Sequence, residues 1–185
     1  VCLRYFRFVF VYGRIVFRAS RSIVELQCLT VFSALFTLAF FAPELHAEER
    51  FEYVRKGLLK AMIYKPANLM ATSSTLLALP GCTQQAEEFF EITHLKKYAD
   101  QYGFIVIVPE QSILKNPFKC WNWYSRRATK NKAETRKIMN LVKEIQSHYN
   151  LAEDKLFVMG FSAGAAMANV VASCYINDVR AVAIH

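Results

Sequence analysis

Five short apolar runs, separated by stretches of helical periodicity, constrain this chain more than any other feature. The runs are LLKAMIYKP (58–66), SSTLLALPG (73–81), FIVIVPE (104–110), KLFVMG (155–160) and VRAVAIH (179–185). Short runs that stay apolar on both faces suit strands of a parallel sheet covered by helices on each side. Between them, QQAEEFFEITHLKKYADQYG (84–103) reads as one helix, with acids early, lysines late and Gly103 as its stop. In KAETRKIMNLVKEIQSHYN (132–150), Ile138, Leu141, Val142, Ile145 and Tyr149 share one helical face. SAGAAMANVVASCY (162–175) is rich in small residues that let a helix lie close to a sheet. Strands alternating with helices predict an α/β fold, with a mostly parallel sheet, helices on both faces and right-handed crossovers.

The first 47 residues follow other rules. Hydrophobic residues make up 54% of the 185, and much of that excess lies in this opening segment. Arg4, Arg7, Arg14, Arg18 and Arg21 precede LQCLTVFSALFTLAFFAP (26–43), which has no charge, and ELHAEE then offers Ala47 as a small exit residue. Basic start, apolar run and small-residue exit read as a signal peptide or N-terminal targeting region over 1–47, although residues 1–15 fit such a segment poorly. The same run reaches the roughly 18 residues a spanning helix needs, so retention of 26–43 as a membrane anchor is the rival reading. Residues 48–185, free of repeats and low-complexity linkers, form one continuous domain portion.

Charge excludes little. The formal net charge is +8, and the densest basic stretch is RRATKNKAETRK (126–137), which reads as a solvated helix face. No nucleic-acid-binding motif accompanies it, so no nucleic-acid partner is expected. The chain has no C-x-x-C pair, and His46, His94, His148 and His185 lack metal-ligand spacing; no metal and no cofactor are expected. In an exported protein Cys82 and Cys120 could pair, each bordering a loop of the candidate site. Cys174 falls on a helical pattern and reads as a buried small apolar residue.

Gly160-Phe161-Ser162-Ala163-Gly164 fits G-x-S-x-G, set between an apolar run and an alanine-rich helix. That context is what a nucleophile elbow requires: a tight strand-to-helix turn lifts the serine hydroxyl clear of the sheet, and glycines flank it where a Cβ would collide. The alternative is a glycine-rich turn that merely packs tightly. Acyl transfer also needs backbone N–H donors aimed at the developing oxyanion. One follows the nucleophile and the other comes from the loop after an early strand, which assigns Ala163 and Cys82, with Gly81 letting the backbone turn. LLALPGCTQ (76–84) taken alone reads equally well as an ordinary loop.

LPGCTQQAEEF, YADQYGFIVIVPEQ, NPFKCWNWYS and VMGFSAGAAMA, in this order, resemble extracellular poly(3-hydroxybutyrate) depolymerases and their feruloyl and acetylxylan esterase relatives, over about residues 54–185. The resemblance implies a truncated α/β-hydrolase fold and a secreted serine esterase, extracellular or periplasmic, acting on a polyester or short-chain ester. Ser162 would be the nucleophile, Cys82 and Ala163 the oxyanion donors, and Trp121, Trp123 and Tyr124 would lie near the substrate cleft. Two departures stand out. Pro80 replaces the histidine usual before the oxyanion-loop glycine, and the acid and base, which follow the nucleophile in this fold, have no match here. Asp178 reads as a turn residue, His94 and His148 as surface residues, and His185 as a poor substitute base without an orienting acid. The chain alone is therefore expected to be inactive. Feruloyl or acetylxylan esterase activity, and a non-catalytic remnant of a decayed esterase gene, are the alternatives.

Overall fold

The computed structural model describes residues 51–125 and 134–185. The targeting region expected at 1–47, the possible anchor within it and most of the basic stretch after Ser125 lie outside the described residues. Ten elements follow in order: β1 (Phe51–Lys56), β2 (Leu59–Tyr64), β3 (Thr75–Leu79), α1 (Ala86–Ile92), α2 (Leu95–Tyr102), β4 (Ile105–Glu110), α3 (Glu134–His148), β5 (Leu156–Gly160), α4 (Ala163–Cys174) and β6 (Val179–Ile184). They build one six-stranded sheet in the order β1-β2-β4-β3-β5-β6. The β4-β3-β5-β6 part is parallel, while β1 and β2 run antiparallel to their neighbours.

Alternation along the strands sends side chains into two cores. Ala61, Ile63, Leu77, Leu79, Ile105, Ile107 and Val158 face α3 and α4, meeting Ile138, Val142, Met167 and Val171. Met62, Tyr64, Ala78, Val106 and Val108 face α1 and α2, meeting Phe89, Phe90, Leu95 and Ala99. Helices on both faces of a mostly parallel sheet match the sequence expectation. Pro109 lies inside β4 rather than ending it, paired with Ala61 of β2. β3 pairs with β4 only as far as Ile107, so the N–H that proline lacks faces no partner strand.

Two elements differ from expectation. β1 is not signalled in the sequence: FEYVRK exposes every residue except the half-buried Val54 and joins β2 through a tight turn at Gly57, φ 61°. The single helix expected over 84–103 is two helices, broken at His94, which takes a left-handed φ of 52°. The reason is phase. Continuing the face of Ala86, Phe89 and Phe90 would aim Lys96 and Lys97 at the sheet. The break turns Leu95 and Ala99 inward instead, and both are buried. Thr93 closes α1 by donating its hydroxyl to the Phe89 carbonyl at 2.6 Å. The two lysines therefore start α2 rather than ending a long helix, and of the charges in 84–103 expected to complement one helix dipole, Glu87 and Glu88 at the start of α1 do so. Gly103 ends α2 at φ 66°, as its position implies.

Candidate active site

The site begins with the neighbouring parallel strands β3 and β5. Leu79 pairs with Gly160, so the loops leaving both strands emerge side by side at their C-terminal ends. The Phe161 N–H donates to the Leu79 carbonyl at 3.1 Å and ties the two loops together. Ser162 caps α4 with φ 54° and ψ −119°, a conformation that costs a non-glycine residue about 1–3 kcal/mol and needs its surroundings to hold it. The glycines on either side explain how. A Cβ at Gly160 would lie 2.3 Å from the Gly164 carbonyl oxygen, and one at Gly164 would lie 2.0 Å from the Leu79 carbonyl oxygen. Helix α4 thus starts in backbone contact with β3 and β5. Ser162 is exposed on top of this turn, beside the positive end of the α4 dipole.

The loop after β3 is held amide by amide. The Gly81 N–H donates to Gln84 Oε1 at 2.7 Å, and the Thr83 N–H donates to the Phe118 carbonyl at 2.7 Å. Between them, the Cys82 N–H has no acceptor among the described residues. The same holds for the Ala163 N–H, the first of α4, which has no intrahelical partner by construction. A Cβ on Gly81 would lie 3.2 Å from Phe161 Cδ1, so this loop abuts the elbow directly. The elbow and the adjoining loop thus each present one unengaged amide among the described residues, at Ala163 and at Cys82.

Cys82 and Cys120 form a disulfide that ties this loop to the 111–124 segment. Cys174, at the end of α4, is half-buried and takes no part in that disulfide, less enclosed than its helical pattern suggests. The three aromatics expected near the cleft separate. Trp121 is 1% exposed and packs in the α3/α4 core, and its indole N–H donates to the Pro80 carbonyl at 3.0 Å. It offers a substrate no surface. Trp123 and Tyr124 are exposed and meet edge to face at 5.7 Å between ring centroids.

His185 approaches the elbow through its backbone. Its carbonyl accepts the Ser162 N–H at 2.9 Å, and its ring meets Phe161 edge-on. Asp178 sits in the turn before β6 and pairs with Lys143 at 2.9 Å. Among the described residues, no group of His, Cys, Asp and Glu is placed to hold a metal ion, and no helix is long and apolar enough to cross a membrane.

Sequence reasoning gave no role to a supporting set of residues. Glu110 Oε1 accepts the Ala86 N–H at 2.8 Å and so fixes the start of α1. Glu134 accepts the Asn122 N–H at 3.2 Å and the Gln111 side-chain amide, joining α3 to the segment that carries Trp121. Burial pushes the Glu134 carboxyl above its ordinary range, against the opposing pull of the Gln111 and Asn122 hydrogen bonds. Gln84 and Gln111 lie in LPGCTQQAEEF and YADQYGFIVIVPEQ, and an amide side chain three residues after a loop glycine was the signal available for Gln84.

A mostly parallel sheet flanked by helices, with a strained serine raised between β5 and α4, defines an α/β-hydrolase. More narrowly, the family model described as "Esterase PHB depolymerase" matches residues 58–185, and the chain belongs to that family. A probable acetylxylan esterase A of Neosartorya fischeri is 30% identical over 167 residues, which are 81% of this chain and 44% of that protein. An acetylxylan esterase A of Talaromyces purpureogenus is 35% identical over 117 residues, 61% of this chain and 29% of that protein. The chain therefore spans less than half the length of these relatives. Among solved structures, an acetyl xylan esterase from Aspergillus awamori superposes with a TM-score of 0.65 at 29% identity, covering 72% of this chain and 50% of that one. A poly(3-hydroxybutyrate) depolymerase from Bordetella parapertussis shares the fold with a TM-score of 0.56 at 12% identity, covering 67% of this chain and 44% of that one.

Proposed function

We propose that the protein is a secreted serine carboxylic-ester hydrolase, working through an acyl-enzyme at Ser162. One observation carries this reading: an exposed serine held at φ 54° on an elbow, with the unengaged amide of Ala163 next in the chain and that of Cys82 in the loop that abuts the elbow. The Ser162 Oγ attacks the ester carbonyl carbon, its proton passing to a general base. The carbonyl oxygen gains negative charge and is received by the two N–H groups, which are fixed beforehand and need not reorganise. The alcohol leaves with the proton, and water then cleaves the acyl-serine by the same steps. The base and its orienting acid are assigned to parts of the protein outside these 185 residues, for which the longer relatives leave room. Residues 48–185 would be the N-terminal part of the catalytic domain.

Export through a targeting region at 1–47 is part of the proposal. The Cys82–Cys120 disulfide supports it, since such bonds persist in oxidising compartments. Trp123 and Tyr124, exposed on the segment that the disulfide ties to the Cys82 loop, are the substrate-contacting aromatics. The substrate is a polyester or a short-chain ester. The acetylxylan reading is favoured by the names of the curated relatives and by the higher identity to the Aspergillus awamori structure. The intact protein should release p-nitrophenol from a short-chain ester, and Ser162→Ala should abolish turnover. Equal rates for the two would end the proposal.

A further inference from the structure

The amide at position 82 is useful only if its direction is fixed, and the loop holding it contains a glycine. Gly81 is free of a side chain because Phe161 and Gln84 crowd the place a Cβ would occupy. That freedom lets the Gly81–Cys82 peptide rotate unless its neighbours are held. The preceding peptide, Pro80–Gly81, is held at both ends. Its carbonyl accepts the buried Trp121 indole N–H at 3.0 Å, and its N–H donates to Gln84 Oε1 at 2.7 Å. The following peptide is held by the bond from the Thr83 N–H to Phe118. Trp121 is itself immobile, being 1% exposed within the core, next to disulfide-bonded Cys120, and followed by Asn122, whose N–H is bound to Glu134.

We infer that Trp121 and Gln84 are positioning residues that clamp the Pro80–Gly81 peptide and thereby aim the Cys82 N–H at the oxyanion. The inference rests on the esterase reading above and gives Trp121 a task in place of substrate contact. Pro80 fits this arrangement: proline has no N–H, and the clamp uses only its carbonyl. A donor displaced by a fraction of an ångström still leaves the ground-state ester bound, because the ester carbonyl gains most from the hydrogen bond once it carries charge.

The test uses the intact enzyme, three single variants, Ser162→Ala, Trp121→Phe and Gln84→Met, and the double variant that combines the last two. Trp121→Phe keeps an aromatic ring and removes the N–H; Gln84→Met keeps length and removes the acceptor. Each clamp variant should lose about 10- to 100-fold in kcat with KM within about twofold. Inhibition by a trifluoromethyl ketone, which forms a tetrahedral adduct on the serine, should weaken in parallel with kcat. The double variant should lose little more than the worse single one, because both act on one peptide. A purely structural role would lower the melting temperature and leave kcat and inhibitor affinity of the folded fraction unchanged, and that result overturns the inference. So does a loss confined to KM. Should Trp121→Phe fail to fold, Gln84→Met carries the same expectation from a half-buried position. Wild-type turnover that survives Ser162→Ala sinks the esterase reading and this inference with it. Turnover that needs Ser162 but ignores both clamps sinks the inference alone.

Discussion

Single residues at the elbow show how little tolerance the site has. The hypothetical Cβ at Gly164 falls 2.0 Å from one carbonyl oxygen and 2.5 Å from another, both backbone and neither able to swing aside. Gly164→Ala must therefore push α4 away from β3, at about 3 kcal/mol in stability, with Ser162 displaced along with it. Denaturant unfolding checks this, and a midpoint unchanged from wild type would contradict the close approach. Glu134 makes a prediction in pH. Its folded-state pKa is raised, chiefly by burial, so the folded chain holds that proton to higher pH than the unfolded chain does. The stability linked to it is complete below the unfolded pKa and is lost as pH rises through the folded value. Glu134→Gln lacks the titration. The melting temperature of wild type should fall relative to the variant as pH increases through the weakly acidic range, and a constant gap would refute the assignment.

Elements were legible wherever burial left a pattern. β2 to β6 announce themselves as apolar runs, and α3 by the spacing of Ile138, Leu141, Val142 and Ile145, all of which are buried. β1 was invisible because its six residues bury almost nothing, and an exposed edge strand is kept polar so that it does not recruit other strands. The α1/α2 break was hidden for a different reason. Composition from Gln84 to Gly103 is helical throughout, and only the phase of Lys96 and Lys97 against Phe89 and Phe90 betrays the reset. The reset makes His94 pay about 1 kcal/mol for a left-handed backbone that glycine adopts freely. His94→Gly should accordingly raise stability by up to about that amount in thermal or chemical unfolding, whereas destabilisation would mean the His94 side chain contributes more than its backbone costs. The site was legible where backbone chemistry dictates residue type, as at Gly160, Ser162 and Gly164. Its support was not, since the indole of Trp121 reaches Pro80 across 41 positions and a sequence shows an exposed and a buried tryptophan alike.

The whole sheet is protected unequally. Its centre carries helices on both faces, whereas both edges are open: β1 and β6 each leave five of six residues exposed, and those of β6 are the more apolar. Val182 and Ile184 are 40% and 61% exposed on the α4 side, and Phe157 of β5 is 39% exposed on the opposite face. β6 pairs with β5 along one edge, and among the described residues nothing pairs with the other. Apolar faces beside an unpaired strand edge combine the two features that drive strand-to-strand association. Residues 48–185 produced alone should therefore elute largely as aggregate in gel filtration. Val182→Lys with Ile184→Lys should shift material toward the monomer, because Ile184 is mostly and Val182 partly in water and the new charges repel an incoming edge. Little is buried at Ile184, and a lysine stem can cover the partly buried surface at Val182, so the melting temperature should stay within a few degrees of the parent. If the parent elutes as a clean monomer with a cooperative melt, the two layers around β2, β4, β3 and β5 suffice to keep the sheet closed to itself, and the exposed β6 is no liability.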